Sequence, residues 1–291
     1  MDRLKSIIHS NRSLQAIIRN KTMKFGIIVV LILFFFAAFG PLIVPYPEDQ
    51  GKVSHLEDAL QPPSLKHLFG TDNLGRDIFS RTIIGTRISL GVSLLVVCSS
   101  ILIGIILGLV AGYFGRWVET VIMRITDVFV SIPRLLLPVA FSGVLGPSLQ
   151  NSMLALIITW WPWYVRLLVG EIKVTKEKEY IEAAKGVGVG VFRMLFRHIL
   201  PNSMSSLVVQ GTLDIGWAIM MCGTLGFIGL GAQPPTPEWG ALVASGRTYM
   251  PDFWWWSTFP GLFIFIAVMG FNMIGDGLRD FLDPKTRFQV G

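Results

Sequence analysis

The side chains best suited to nucleophilic or metal chemistry in this 291-residue chain are few: His9, His55, His67, His198, Cys98 and Cys222. Metal-assisted peptide hydrolysis would need two histidines flanking a glutamate, as in H-E-x-x-H, and no such motif occurs. A phosphate-cradling G-x-x-x-x-G-K-[ST] loop is also missing, so nucleotide would have to be held by another chain. Cys98 and Cys222 both sit in apolar runs and read as buried small hydrophobes, not as a disulfide or a metal site. What remains is charge in apolar surroundings. Arg134 and Asp214 interrupt long apolar runs, with Arg124 and Asp127 nearer one end. An ionisable group at that depth marks either a transport path or an interhelical pair that fixes packing. Trp160, Trp161 and Trp163 form a cluster that reads as a lining of that path or as helix packing, with packing favoured. Pro133, Pro138 and Pro162 read as kinks.

Those residues are carried on apolar runs long enough to cross a bilayer. The chain is 52% hydrophobic and only 15% charged. Soluble domains are nearer a quarter charged. A hydrocarbon core of ~30 Å takes about 20 apolar residues of helix. Six stretches qualify, at about residues 25–44, 88–114, 121–145, 153–169, 207–230 and 256–274. The third is the weakest because it holds Arg124, Asp127 and Arg134. The first is too long for a signal-peptide core and lacks an A-x-A site, so it reads as a retained helix. The expected fold class is therefore all-α, a polytopic membrane protein with six transmembrane helices.

Orientation follows the lysines and arginines. Arg3, Lys5, Arg12, Arg19, Lys21 and Lys24 precede the first span. Lys173, Lys176, Lys178, Lys185, Arg193 and Arg197 lie between the fourth and fifth, and Arg279, Lys285 and Arg287 lie near the carboxyl end. Both termini are thus expected in the cytoplasm. The net charge of +6 reads as this bias and not as a nucleic-acid surface. The chain divides into a cytoplasmic segment 1–24, a first helix and external loop 25–87, a core 88–280 and a tail 281–291. A Trp run at 254–256 reads as an aromatic belt at the outer interface.

Within the core, a cytoplasmic loop at 171–202 carries the most pattern. Residues 176–185 are strong helix formers, and Gly186, Gly188 and Gly190 stop them. Phe192, Leu195, Phe196 and Ile199 then recur at helical spacing until Pro201 closes the stretch. Helix, bend and helix make a knob, with Ala183 and Ala184 as a small-residue patch that another protein could approach. An interfacial helix pair with no partner fits the pattern equally well.

Here the residues resemble a known family. Glu182-Ala183-Ala184, then Gly188, then Leu200-Pro201 resembles the EAA loop of permease subunits in binding-protein-dependent ABC importers, with His198 where a hydrophobic residue is usual. Gly70-Thr71-Asp72-Asn73-Leu74-Gly75-Arg76-Asp77, Ser131-Ile132-Pro133, Gly229-Leu230-Gly231-Ala232-Gln233-Pro234-Pro235, Trp239-Gly240 and Gly275-Asp276-Gly277-Leu278-Arg279-Asp280 resemble further segments of the dipeptide/oligopeptide/nickel branch, C-type subunit. The likeness covers roughly residues 22–287. Glu238 departs from the serine expected there, which bears on contact with an extracellular binding protein.

The resemblance implies a type I importer permease and not an enzyme. Tyr180, Glu182, Ala183, Ala184, Gly186, Gly188 and Pro201 would form the element coupling the chain to an ATPase. The implied partners are a second homologous permease subunit, two ATPase subunits that carry ATP and Mg, an extracellular solute-binding protein and membrane lipid. No cofactor is expected on this chain. The implied cargo is a dipeptide or oligopeptide, with nickel or a metal–metallophore complex as the alternative. The implied location is the bacterial inner membrane. An intramembrane enzyme is the distant rival, disfavoured because none of the four histidines lies in a span.

Overall fold

A computed structural model describes residues 20–282. The expected basic residues at 3, 5, 12 and 19, and the tail with Lys285 and Arg287, lie outside them. The described chain is helical, and its only β pairing is an isolated Thr71–Asp77 bridge. Among the described residues, besides short 3-10 turns at Pro47–Gln50 and Leu56–Asp58, nine longer helices follow in order: α1 Lys21–Ile43, α2 Ile78–Phe114, α3 Arg116–Ser131, α4 Leu136–Leu145, α5 Leu149–Lys176, α6 Glu179–Gly186, α7 Val191–Phe227, α8 Trp239–Arg247 and α9 Trp255–Leu282. Five of these (α1, α2, α5, α7 and α9) are long and apolar enough to cross a membrane. The pair α3 and α4, bent by 90°, meets the same length and composition test only when taken together, and counted as one span it brings the number to the six expected.

α2 and α5 form the centre. Gly104, Gly108 and Gly112 recur every four residues along α2, and Tyr164, Leu168 and Ile172 answer them along α5. A Cβ placed on Gly104 would lie 2.3 Å from Tyr164 Cβ, so the two backbones touch along this line. Without a hydrophobic force between helices in lipid, such close packing of small residues supplies the association energy. α7 packs on both helices of this pair, α9 packs on α7, and α1 lies outside against α9 and α2. Phe25, Ile28, Leu31, Ile32 and Phe35 of α1 stay exposed, as a lipid-facing surface requires.

Several expectations need correction. The second crossing starts ten residues earlier than expected, at Ile78. Ser80, Arg81, Thr82 and Thr86 read as loop, yet all four are buried. Arg81 is held from two sides, Nη1 donating to the Asp49 carbonyl and Nη2 to the Pro235 carbonyl at 3.1 Å, while Ser80 Oγ donates to Asp77 and Thr86 Oγ1 to the Thr82 carbonyl. Asp77 caps α2 by accepting from Ser80 N at 2.7 Å and also meets His67 Nδ1 at 3.0 Å. Asp72 accepts from Leu74 N, Arg76 N and Arg76 Nε. The Gly-Thr-Asp-Asn-Leu-Gly-Arg-Asp motif is therefore a lid that closes the start of α2. Gly75 has φ +75°, and a Cβ there would meet the His55 carbonyl at 1.8 Å. Burial pushes the Asp49 carboxyl above its ordinary range, against the pull of the Asp77 amide. Lys66 holds the Asp58 carboxyl below its ordinary range.

The third crossing is broken, with a 90° bend between α3 and α4. Pro133 lacks an N–H and forces Ile132 out of the helical region to φ −92°, ψ 137°. Trp255 and Trp256 are buried against Ile78, and Trp255 Nε1 donates to the Thr71 carbonyl at 3.3 Å. Only Trp254 of that run is exposed, so the run anchors the lid instead of forming a belt. Cys222 is buried as expected, but Cys98 is exposed on α2.

Candidate functional site

The α5–α7 connection builds a compact knob. α5 does not end at residue 169 but continues to Lys176, two turns past the expected span. Its end is tied on three sides. Lys173 pairs with Glu119 of α3 at 2.6 Å, Lys176 Nζ donates to the Gly112 and Tyr113 carbonyls of α2, and Glu171 accepts from Ser206 of α7 at 2.6 Å. α6 then folds back beneath. Ile181, Ala184, Met194, Leu195 and Ile199 join the same apolar core as Leu168 and Ile172.

α6 closes with a Schellman turn. Val189 N donates to the Ala184 carbonyl at 3.1 Å, and Gly188 N to the Lys185 carbonyl at 3.0 Å. Gly188 sits at φ +78°, where a side chain would strain the backbone. Gly186 and Gly190 have no such need. The two alanines also separate: Ala183 is exposed, whereas Ala184 faces inward. The outer surface of the knob is Tyr180, Glu182, Ala183, Val187 and Phe192, with Val187 81% and Phe192 79% exposed. The expected apolar stripe splits, since Leu195 and Ile199 are buried while Phe192 and Phe196 stack outside at 5.8 Å.

Pro201 does not close the second arm. A π-helical stretch, Met194–Ile199, precedes it, and Val191–Phe227 runs on as one helix. The wider turn relieves the usual clash of the proline ring with the carbonyl four residues back. Asn202 Nδ2 donates to the His198 carbonyl at 2.6 Å, satisfying an acceptor the irregular turn frees. The knob is thus joined without a break to a membrane-crossing helix.

A second group lies within the bundle. Arg134 occupies the break between α3 and α4, and its guanidinium carbon stands 4.0 Å from the Trp163 ring centre and 5.7 Å from those of Trp160 and Trp217. Asp214 of α7 is fully buried and accepts from Trp160 Nε1 at 3.2 Å and Gln210 Nε2 at 3.1 Å. Arg134, Trp160 and Asp214 therefore come together, while Trp161 turns to another face beside Phe129 and Val165. Asp127 pairs with Arg166, so it belongs to packing. Sequence reasoning missed Gln210 and Trp217. The i, i+4 spacing of Gln210 and Asp214 on one helix was the available signal for the first. Glu238, expected to bear on an outer contact, is buried, accepting from Ala241 N at 3.0 Å and Ser89 Oγ at 3.2 Å.

Residues 104–288, which include both groups, match the family described as binding-protein-dependent transport system inner membrane component. Residues 11–63 match the N-terminal TM domain of oligopeptide transport permease C. Among similar proteins, the dipeptide transport system permease protein DppC of Alkalihalophilus pseudofirmus is 44% identical over 92% of this chain and 88% of its own length. The probable D,D-dipeptide transport permease DdpC of Escherichia coli is 46% identical over 91% and 88%. The glutathione transport permease GsiD of Pectobacterium atrosepticum is 43% identical over 89% and 85%. A bundle of five membrane-length helices and one bent pair, a two-helix knob and these matches along most of its length make this chain a transport subunit and a member of the family of inner membrane components of binding-protein-dependent transport systems.

Proposed function

We propose that this chain forms one half of the membrane pathway of an ATP-driven peptide importer, and that its knob transmits the work of a separate ATPase. One observation carries the coupling role: the knob is sealed to the bundle by Ile181, Ala184, Met194 and Ile199, yet leaves Tyr180, Ala183, Val187 and Phe192 uncovered beside Glu182. An exposed apolar patch rimmed by charge is the signature of a protein contact. α6 is packed through Ile181 on the core it shares with α7, and α7 runs from the knob into the bundle without a break, so a push at Glu182 would reach the bundle and give rigid-body alternation of two permease halves.

Under this reading the partners are a second, homologous permease, two ATPase chains holding ATP and Mg, and an extracellular solute-binding protein. The basic residues around the knob and before the first span support a cytoplasmic position for the knob and for both termini. Tyr180, Glu182, Ala183 and Gly188 form the docking element, with Ala184 and Pro201 shaping it from within. Peptide cargo is supported by relatives named for dipeptide, D,D-dipeptide and di/tripeptide transport.

Charge reversal at the exposed Glu182 tests the coupling. Glu182→Arg should lower peptide uptake by at least about tenfold, equivalent to ~1.4 kcal/mol of docking energy, with weaker retention of the ATPase chains on purification. Normal uptake with intact ATPase association would remove the coupling role.

A further inference from the structure

We propose that Arg134 receives the terminal carboxylate of the cargo as it crosses the bilayer, an assignment that rests on the peptide-importer reading. The guanidinium carries five N–H donors. Three indole rings surround it, at 4.0, 5.7 and 5.7 Å, and none offers an acceptor. No carboxylate of the described residues comes within 4.0 Å of it. The aromatic faces steady the charge but satisfy no hydrogen bond. Arg134 is half-buried, so at bilayer depth its unused donors stay open to an acceptor from outside the chain.

Its position sharpens the requirement. Arg134 stands immediately before α4, whose first turn has no side-chain cap. The positive end of a helix repels a cation and favours an anion. Two independent features therefore converge on one missing negative group. Asp214, which shares Trp160 with Arg134, does not supply it and is engaged with Trp160 Nε1 and Gln210 Nε2. Asp214 instead positions the Trp160 ring that flanks Arg134. The planar fork of an arginine matches a carboxylate bidentately, which a free peptide terminus provides. The pocket beside Arg134, lined by Phe129, Ile132, Leu137, Thr159, Trp160 and Trp163, has a volume of only ≈ 10 Å³. That is room for about one water, so a peptide terminus would meet Arg134 from outside the pocket.

The test uses the whole transporter, with its ATPases and binding protein, in proteoliposomes. Uptake of alanyl-alanine and of its C-terminal amide is measured at saturating peptide for wild type, Arg134→Gln and Arg134→Lys. The wild type is expected to favour the free acid. Arg134→Gln should lower uptake of the acid by about tenfold or more, change that of the amide by less than about twofold, and so erase the preference. Arg134→Lys should restore part of it. ATP hydrolysis stimulated by loaded binding protein should persist in both variants. An equal loss for acid and amide, as when Arg134 pairs with the second permease subunit, would overturn the proposal, as would no loss. A wild type that hydrolyses ATP with loaded binding protein yet carries neither peptide would overturn the peptide reading first, and the ligand of Arg134 with it.

Discussion

Replacing Ile181 by Asp is expected to reduce uptake to less than about a tenth while leaving the bundle in the membrane. Ile181 is fully buried, in the core shared by α5, α6 and α7. A carboxylate placed there without a partner costs several kcal/mol. α6 has only eight residues, too few to hold itself as a helix without its packing. It would detach from the spans, and a push on it would no longer reach α7. Tryptic cleavage at Lys178 and Lys185, both exposed, should accelerate in the same variant. Ile181→Val removes one methylene, costs about 1 kcal/mol, and should transport nearly as the parent does. Full uptake by Ile181→Asp would mean that the knob transmits nothing.

The second large effect falls on the centre of the bundle. Gly104→Val puts a branched side chain where a Cβ alone would already lie 2.3 Å from Tyr164 Cβ. Neither helix can give way locally, because Gly108 and Gly112 hold the same approach to Leu168 and Ile172 on the turns that follow. Overpacking of this kind costs about 3 kcal/mol and should lower the melting temperature of the solubilised chain by roughly 5–10 °C. Gly91 lies on the same helix with nothing within 4 Å of its Cβ position. Gly91→Val should therefore melt within about 2 °C of the parent. Equal melting of the two variants would show that the glycine line is not the contact.

What the sequence made legible follows what its physics encodes locally. Apolar length gave six crossings and the all-α class, and glycine chemistry gave the bend at Gly188. Positions whose state depends on distant partners were misread. Arg81 looks like loop until Asp49 and Pro235, far away in sequence, supply its bonds. Pro201 looks like a stop until the π turn before it removes the clash. Ala183 and Ala184 are adjacent and chemically alike, and only tertiary packing decides which one faces out. The glycines at 104, 108 and 112 carried a readable every-fourth-residue signal of close helix approach. That signal names a contact but not its partner, and α5 is found only in the fold. Arg134 and Asp214 stood out as charges in apolar runs. That they share Trp160, and do not pair with each other, is a matter of geometry alone.

Under the proposed function, the exposed tip of α6 meets a nucleotide-hydrolysing chain on the cytoplasmic side. Glu182→Cys, introduced into the full transporter, places a thiol-reactive crosslinker at that tip. Crosslinking in inside-out vesicles should join this chain to an ATPase subunit, and an impermeant reagent should not reach residue 182 in right-side-out vesicles. Labelling from the outer side, or a tip that crosslinks to no ATPase chain in the working assembly, would contradict the account.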